Sequence, residues 1–319
     1  MKTPWLRVLA VLAAGAVFAS GEGCRKAPPP PKPAVPVDLA SFRPKFEFRG
    51  RIVFQSDLSG NNEIYLLTRD GLRSLTNDAA SDEFPRWSPE GRRIAFSSNR
   101  SGRYQIYVMN DDGTGVVQVT RSDADAVEEG WFPDGTKIAF TEQRHRTFGR
   151  SFAMRSVDLA SGRTDTLLPK FDDSNALPDF SPAKPLLGFT GKRLRGWDVF
   201  VADLTTGETR ALTEGGAACR PRFSPDGAAI AYTSASADGK GDIWLMNPDG
   251  SGKERLTDLP QTYDYFPAWS PDRKYIVFSS GTKHYPTEGV WSLALVKLGT
   301  KRIIPLFSSG ARDVFPDWH

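Results

Sequence analysis

The chain has little of what most metal sites and covalent catalysts are made from. Its 319 residues include two cysteines and three histidines. Cys24 and Cys219 cannot make a disulfide framework. His145 and His284 fall in loops three repeats apart, and His319 is terminal. There is no H-E-x-x-H, no paired-cysteine spacing and no G-x-S-x-G elbow, so no metal and no cofactor are expected. The formal net charge of +3 is too small to imply nucleic acid. The apolar run Val8 to Ala19 is short for a membrane span, and no helix-length amphipathic segment suggests a second domain.

Lys2 and Arg7 before that run, and Ala19-Ser20-Gly21 after it, read as an export signal over residues 1–23. Two processing routes fit. One is ordinary cleavage near Ala19. The other is a lipoprotein signal ending at Cys24, although Gly21-Glu22-Gly23 is a poor lipobox. Residues 24–47, with Pro28-Pro29-Pro30-Pro31, read as a polar, proline-rich tether. The expected location is the periplasm, with attachment to the outer membrane through lipid on Cys24.

What the chain does have is glycine, 29 residues, and proline, 24, set in a repeat. Trp87-Ser88-Pro89-Glu90-Gly91 returns as Trp131-Phe132-Pro133-Asp134-Gly135, Phe180-Ser181-Pro182, Phe223-Ser224-Pro225-Asp226-Gly227 and Trp269-Ser270-Pro271-Asp272. Each copy is followed by an apolar strand such as Ile94-Ala95-Phe96, then by one such as Ile106-Tyr107-Val108-Met109. A fourth strand follows in several copies, marked by Leu-Thr or Val-Thr. The blade of Trp131 matches worst. A period of roughly 40–50 residues with several short strands signals a β-propeller.

The ends complete each other. Ile52 to Thr76 lacks a leading Trp-Ser-Pro strand, and Asp313 to His319 is such a strand with nothing after it. Joining them predicts an all-β, six-bladed propeller over residues 48–319, with the C-terminal strand innermost in the N-terminal blade. Closure removes exposed sheet edges.

The pattern D-x-x-P-x-W-S-P-D-G-x-x-I-A-F, followed by I-Y-x-M and L-T, resembles the TolB-type propeller with its PD40, WD40-like repeats. The resemblance covers about residues 50–319. It implies protein binding at the cell envelope, where TolB propellers engage a peptidoglycan-associated lipoprotein. TolB also carries an α/β domain before its propeller, for which residues 1–50 leave no room, so a stand-alone propeller is expected. Related propellers include metal-dependent lyases of acidic sugars and the front domain of some peptidases.

Two residue sets are candidates for function. Asp82, Asn175, Asp264 and Asp313 begin the innermost strands, with Ala126 and Ala218 in the other two blades. They would form a polar ring at the channel mouth for a cation or basic peptide end, or else bond nearby amides and fix the turn. The second set lies in the loops joining second and third strands: Arg100 and Arg103, then Arg144, His145, Arg146 and Arg150, then Lys192, Arg193 and Arg195. Three adjacent blades are thus net positive there and the other three neutral or negative. Arginine forks suit carboxylate and phosphate groups, so an acidic envelope protein or peptide, or an anionic glycan, is the expected partner on this half of the face, unless the charges are only solvated. Cys219 reads as a small buried apolar residue. The expected function is non-catalytic binding on one propeller face. The alternative is a lyase or hydrolase of an acidic glycan at the channel mouth, for which Asp82, Asp264, Asp313 and Arg144 are the visible parts.

Overall fold

A computed structural model describes residues 39–145, 147, 149–168, 174–284 and 286–319. The export signal, most of the tether, Cys24 and Arg146 lie outside the described residues.

The chain opens with β1 (Ile52–Ser56), β2 (Glu63–Thr68) and β3 (Gly71–Ser74). Blade 2 is β4 (Asp82–Trp87), β5 (Arg93–Ser98), β6 (Gln105–Asn110) and β7 (Val117–Gln118). Blade 3 is β8 (Asp125–Trp131), β9 (Lys137–His145), β10 (Arg150–Asp158) and β11 (Thr164–Thr166). Blade 4 is β12 (Asn175–Phe180), β13 (Leu186–Arg193), β14 (Gly196–Asp203) and β15 (Thr209–Ala211). Blade 5 is β16 (Ala218–Phe223), β17 (Ile230–Ser234), β18 (Asp242–Met246) and β19 (Glu254–Arg255). Blade 6 is β20 (Tyr263–Trp269), β21 (Tyr275–Gly281), β22 (Trp291–Lys297) and β23 (Arg302–Phe307). Finally β24 (Val314–Trp318) pairs with β1, so blade 1 is β24-β1-β2-β3 and the ring closes as six four-stranded sheets.

The core lies between blades. Ile94, Ala95 and Phe96 of β5 are all fully buried, because a second strand is covered on both faces by its neighbours. Val53, Ile64 and Leu66 of blade 1 pack with Trp87, Phe96 and Met109 of blade 2, and the pattern recurs round the ring. The anchor tryptophans add latches. Trp131 Nε1 donates to the Arg86 carbonyl at 3.1 Å, and Trp269 Nε1 to that of Arg222 at 2.9 Å, each in the preceding blade. Trp318 Nε1 instead donates to Arg49 at 2.9 Å, and Phe48 meets its ring edge-on. Phe42 and Phe46 pack on Phe307 and Tyr275 of blade 6. Residues 39–47, read from sequence as the end of the tether, are thus packed on the propeller, because these aromatics find an apolar seam beside blades 1 and 6.

The motif residues have local causes. Gly91, Gly135 and Gly227 sit at φ 67° in the Pro-Glu-Gly and Pro-Asp-Gly turns, a conformation glycine takes without a steric cost. Ser88 Oγ accepts from Arg93 N–H across the same turn. In four blades a threonine two residues past the fourth strand extends the ladder with its side chain. Thr213 Oγ1 accepts from Val199 N–H at 2.9 Å and donates to Asp198 at 2.8 Å, and Thr76, Thr120 and Thr257 accept in the same way. Replacing Thr213 by valine keeps the shape, orphans the Val199 N–H and leaves Asp198 with the Gly216 N–H alone. We expect a loss of about 1–3 kcal/mol in urea unfolding; a change below about 0.5 kcal/mol would refute this role.

Candidate functional site: the propeller axis and its loop-rich face

Each innermost strand carries a bulge facing the axis. Phe84, Glu128, Leu177, Arg220, Phe266 and Phe315 occupy equivalent positions with φ between 54° and 61°. A non-glycine residue there costs of order 1 kcal/mol or more. The preceding blade helps to offset it: Thr141 Oγ1 accepts from Leu177 N–H and Thr190 Oγ1 from Arg220 N–H, both at 3.0 Å. The next residue is proline in five blades, Pro85, Pro178, Pro221, Pro267 and Pro316. A bulge residue is left out of the ladder, so the missing N–H costs nothing there. Blade 3 alone has a glutamate, Glu129.

The residue after that forms a deeper layer. In ring order from blade 1 it is Asp317, Arg86, Gly130, Asp179, Arg222 and Ala268. Arg86 and Arg222 stand opposite each other, as do Asp179 and Asp317. Arg86 reaches Asp179 at 2.6 Å and Asp317 at 3.7 Å. Arg222 reaches Asp179 at 3.4 Å and also pairs with Asp317. Each aspartate further accepts a backbone N–H at 2.7 Å, Asp317 from Trp87 and Asp179 from Phe223. The small Gly130 and Ala268 leave room for this quartet. A Cβ on Gly130 would lie 2.4 Å from the Pro178 carbonyl oxygen, so only glycine permits that approach of β8 and β12.

The upper layer lacks this twofold symmetry. Phe84, Phe315 and Phe266 make an aromatic half, with ring centroids 4.5 and 4.0 Å apart at the two contacts. Arg220 lies over Phe266 at 4.7 Å and Phe315 at 5.1 Å and pairs with Glu128 at 3.2 Å. Burial pushes Glu128 up to about 7 and Glu129 up to about 8. Between the layers is a cavity of about 60 Å³ lined by residues of both.

The polar ring expected at the channel mouth is placed differently from these liners. Asp82, Asn175, Asp264 and Asp313 are fully buried and bond within or beside their blades. Asp82 meets Arg100, Asp264 accepts from Ser280 at 2.7 Å, Asp313 from Ser56 at 2.7 Å, and Asn175 Oδ1 from Met154 N–H at 2.6 Å. Burial raises all three aspartates, Asp313 to about 6. Burial likewise pushes the Cys219 thiol up to about 11.

Several loop cations are paired. Arg100 bridges Asp82 at 2.8 Å and Asp78 at 3.0 Å. Arg144 grips Asp123 with two bonds, at 2.8 and 3.2 Å, and Glu142 at 2.9 Å. Arg103 and His145 each come within 3.8 Å of Asp125. Arg150 is half-buried. The acids Asp78 and Asp123 come from segments linking one blade to the next, which the loop-by-loop reading of charge left out. Lys192, Arg193 and Arg195 make no ion pair among the described residues; Arg193 rests over Phe200. They surround Leu194, fully exposed at the tip of the β13–β14 hairpin.

The axial residues have a sequence signal: the position before each anchor aromatic reads Arg, Gly, Asp, Arg, Ala, Asp along the chain. Glu128-Glu129 is visible as the pair that stands where the repeat has x-Pro. Among the described residues no group of three or more His, Cys, Asp or Glu is placed to hold a metal ion.

A TolB homolog of Chlorobium luteolum is 35% identical over 211 residues, 64% of this chain and 46% of that protein. The chain therefore spans under half the length of that relative. An uncharacterized protein of Agrobacterium fabrum is 29% identical over 227 residues, 68% of this chain and 72% of its own. The crystal structure of TolB from Acinetobacter baumannii superposes with a TM-score of 0.72 at 19% identity, over 86% of this chain and 67% of that one, which is a likeness of fold. The TolB β-propeller domain, PD40, matches residues 38–192 and 153–318. With six PD40-type blades closed by the C-terminal strand, the chain belongs to the TolB β-propeller family.

Proposed function

We propose that this chain is a non-catalytic binding protein of the bacterial cell envelope, periplasmic and held to the outer membrane through Cys24, that docks an acidic segment of an envelope protein. One observation carries the docking site. The β9–β10 and β13–β14 hairpins have strands of 9 and 8 residues, against 5 or 6 in the corresponding strands of blades 1, 2 and 5. They stand side by side as a ridge, coupled by the edge-on contact of Phe152 and Trp197 at 5.4 Å. Lys192, Arg193 and Arg195, cations of the propeller's loop-rich face that make no ion pair among the described residues, crown that ridge around an exposed leucine. Clustered cations at an exposed tip attract a carboxylate-bearing partner, and an apolar tip gives the contact a dry centre. Similarity to TolB homologs supports the envelope setting.

The test is a photo-crosslinker at Leu194 in intact cells, with adducts identified by mass spectrometry. We expect one predominant adduct with an acidic envelope protein. Its yield should fall about tenfold with K192E, R193E and R195E combined, since each rim charge contributes mainly to encounter. An unchanged adduct in the triple variant sinks the proposal.

A further inference from the structure

We propose that the cavity on the propeller axis is a binding site for a primary ammonium group, held by the free oxygen of Glu129. This does not rest on the docking reading above, which concerns the hairpin ridge.

Glu129 lines the cavity and is 1% exposed. Its Oε2 accepts from Ser97 at 2.8 Å, while Oε1 has no partner. A buried carboxylate oxygen left unpaired is costly, and natural proteins rarely keep one without use. The cost is specific to this blade, since the equivalent position is proline in the other five. The scaffold does not need the acid.

The local charge is also unbalanced. Arg86, Arg220 and Arg222 face four carboxylates, those of Glu128, Glu129, Asp179 and Asp317. Glu128 is occupied by Arg220, and Asp179 and Asp317 by the quartet; Arg86 bonds the Glu129 carbonyl and lies near its carboxylate but spends its side-chain ion pairs on the quartet, which leaves Glu129 as the acid with no ion pair of its own among the described residues. One positive charge completes the axis. In the free protein that charge is a proton, consistent with the raised affinity of Glu129 for one.

The shape and donors select the cation. A metal ion needs several oxygen ligands, and one free carboxylate oxygen beside phenylalanine and proline does not supply them. A guanidinium needs two acceptors side by side, and Ser97 holds the second oxygen. An ammonium is a compact charge on an alkyl stem. The cavity offers an oxygen for the head and Phe84, Phe266, Phe315 and Leu177 for the stem. Arg220 stacked on Phe266 and Phe315 shows those ring faces already accepting a cation. Leu177, Arg220 and Phe315 are only partly buried, so the upper layer is the side from which a ligand reaches the cavity.

The experiment is calorimetric titration of the full chain with propylammonium, with propanol as the neutral isostere, and with an acetylated, amidated tripeptide centred on lysine. Propylammonium is expected to bind one to a chain and to release a proton near pH 7, and propanol not to bind. Two variants test the residue. Glu129→Gln removes the charge, and Glu129→Pro restores the repeat at a backbone that five sister blades share. Both should melt cooperatively and lose about tenfold or more in amine affinity, the worth of one charge-assisted hydrogen bond. Binding of propylammonium without the peptide assigns the site to a free amine, and tighter binding of the peptide assigns it to a lysine from a partner. If neither binds at about 10 mM, a generous limit for a single weak contact, or if Glu129→Gln binds as the native chain does, the proposal is overturned.

Discussion

Replacing Asp317 by asparagine is expected to lower stability by about 3–5 kcal/mol, because it leaves buried guanidinium groups facing an amide. Asp317 pairs with Arg222, lies 3.7 Å from Arg86, and accepts the Trp87 N–H. Burial works against the Arg86 charge, but Asp317 and Asp179 hold it above its usual value. Asparagine can still accept from Trp87 but cannot balance either arginine. Urea unfolding of the single variant and of Asp317→Asn combined with Arg222→Gln makes the test complete. The double change should cost clearly less than the sum of its parts, since it removes both members of one pair. A loss below about 0.5 kcal/mol for Asp317→Asn would show that water reaches the axis and screens the quartet.

Removing residues 313–319 is expected to abolish cooperative folding. The deletion strips β24 from β1, where Ile52 faces Trp318 and Val53 faces Asp317. It exposes β1 as an open edge inside the ring, with its row of unpaired amides and carbonyls. It also removes Asp317 from the axial quartet and Asp313 from Ser56 and Ser309. The Trp318 latch to Arg49 goes too, and with it the seam that holds Phe48. Near-ultraviolet circular dichroism should lose its tertiary signal, and thermal melting its sharp transition. A truncated chain that still melts cooperatively within a few degrees of the intact one would refute the view that β24 closes the fold.

Much of the scaffold could be read from the chain alone. A propeller blade is a local unit, and its turns and strand order are set by residues within one period. Ser-Pro-Asp-Gly fixes the first turn through hydroxyl and glycine geometry, and Ile-Ala-Phe marks a strand buried on both faces. Leu-Thr ends the sheet with a side chain that replaces a missing strand. These are short-range causes, so they repeat visibly, and the incomplete first and last repeats announce the closure.

The charges were not legible in the same way. Arg100 and Arg144 look like free loop cations when each hairpin is read alone. Their partners Asp78 and Asp123 arrive from the connections between blades, on the same face but outside the hairpin. The aspartates that start the innermost strands could be read either as channel residues or as local bonding partners that fix the turn, and sequence does not say which groups they meet; Asp82 bonds Ser98 and Arg100, because the extended strand sends that side chain into the blade.

What the sequence determined by itself was the six-fold scaffold, which follows from residues within one repeat, and its closure, which the incomplete first and last repeats announce although β1 and β24 lie at opposite ends of the chain. Only the tertiary structure decided the chemistry of the axis. Arg86, Asp179, Arg222 and Asp317 lie in four different blades, and only a closed ring brings them within bonding distance. The ring likewise shows Glu129 as the acid left over. Charge balance in a buried space is a property of the whole enclosure, which no single repeat contains.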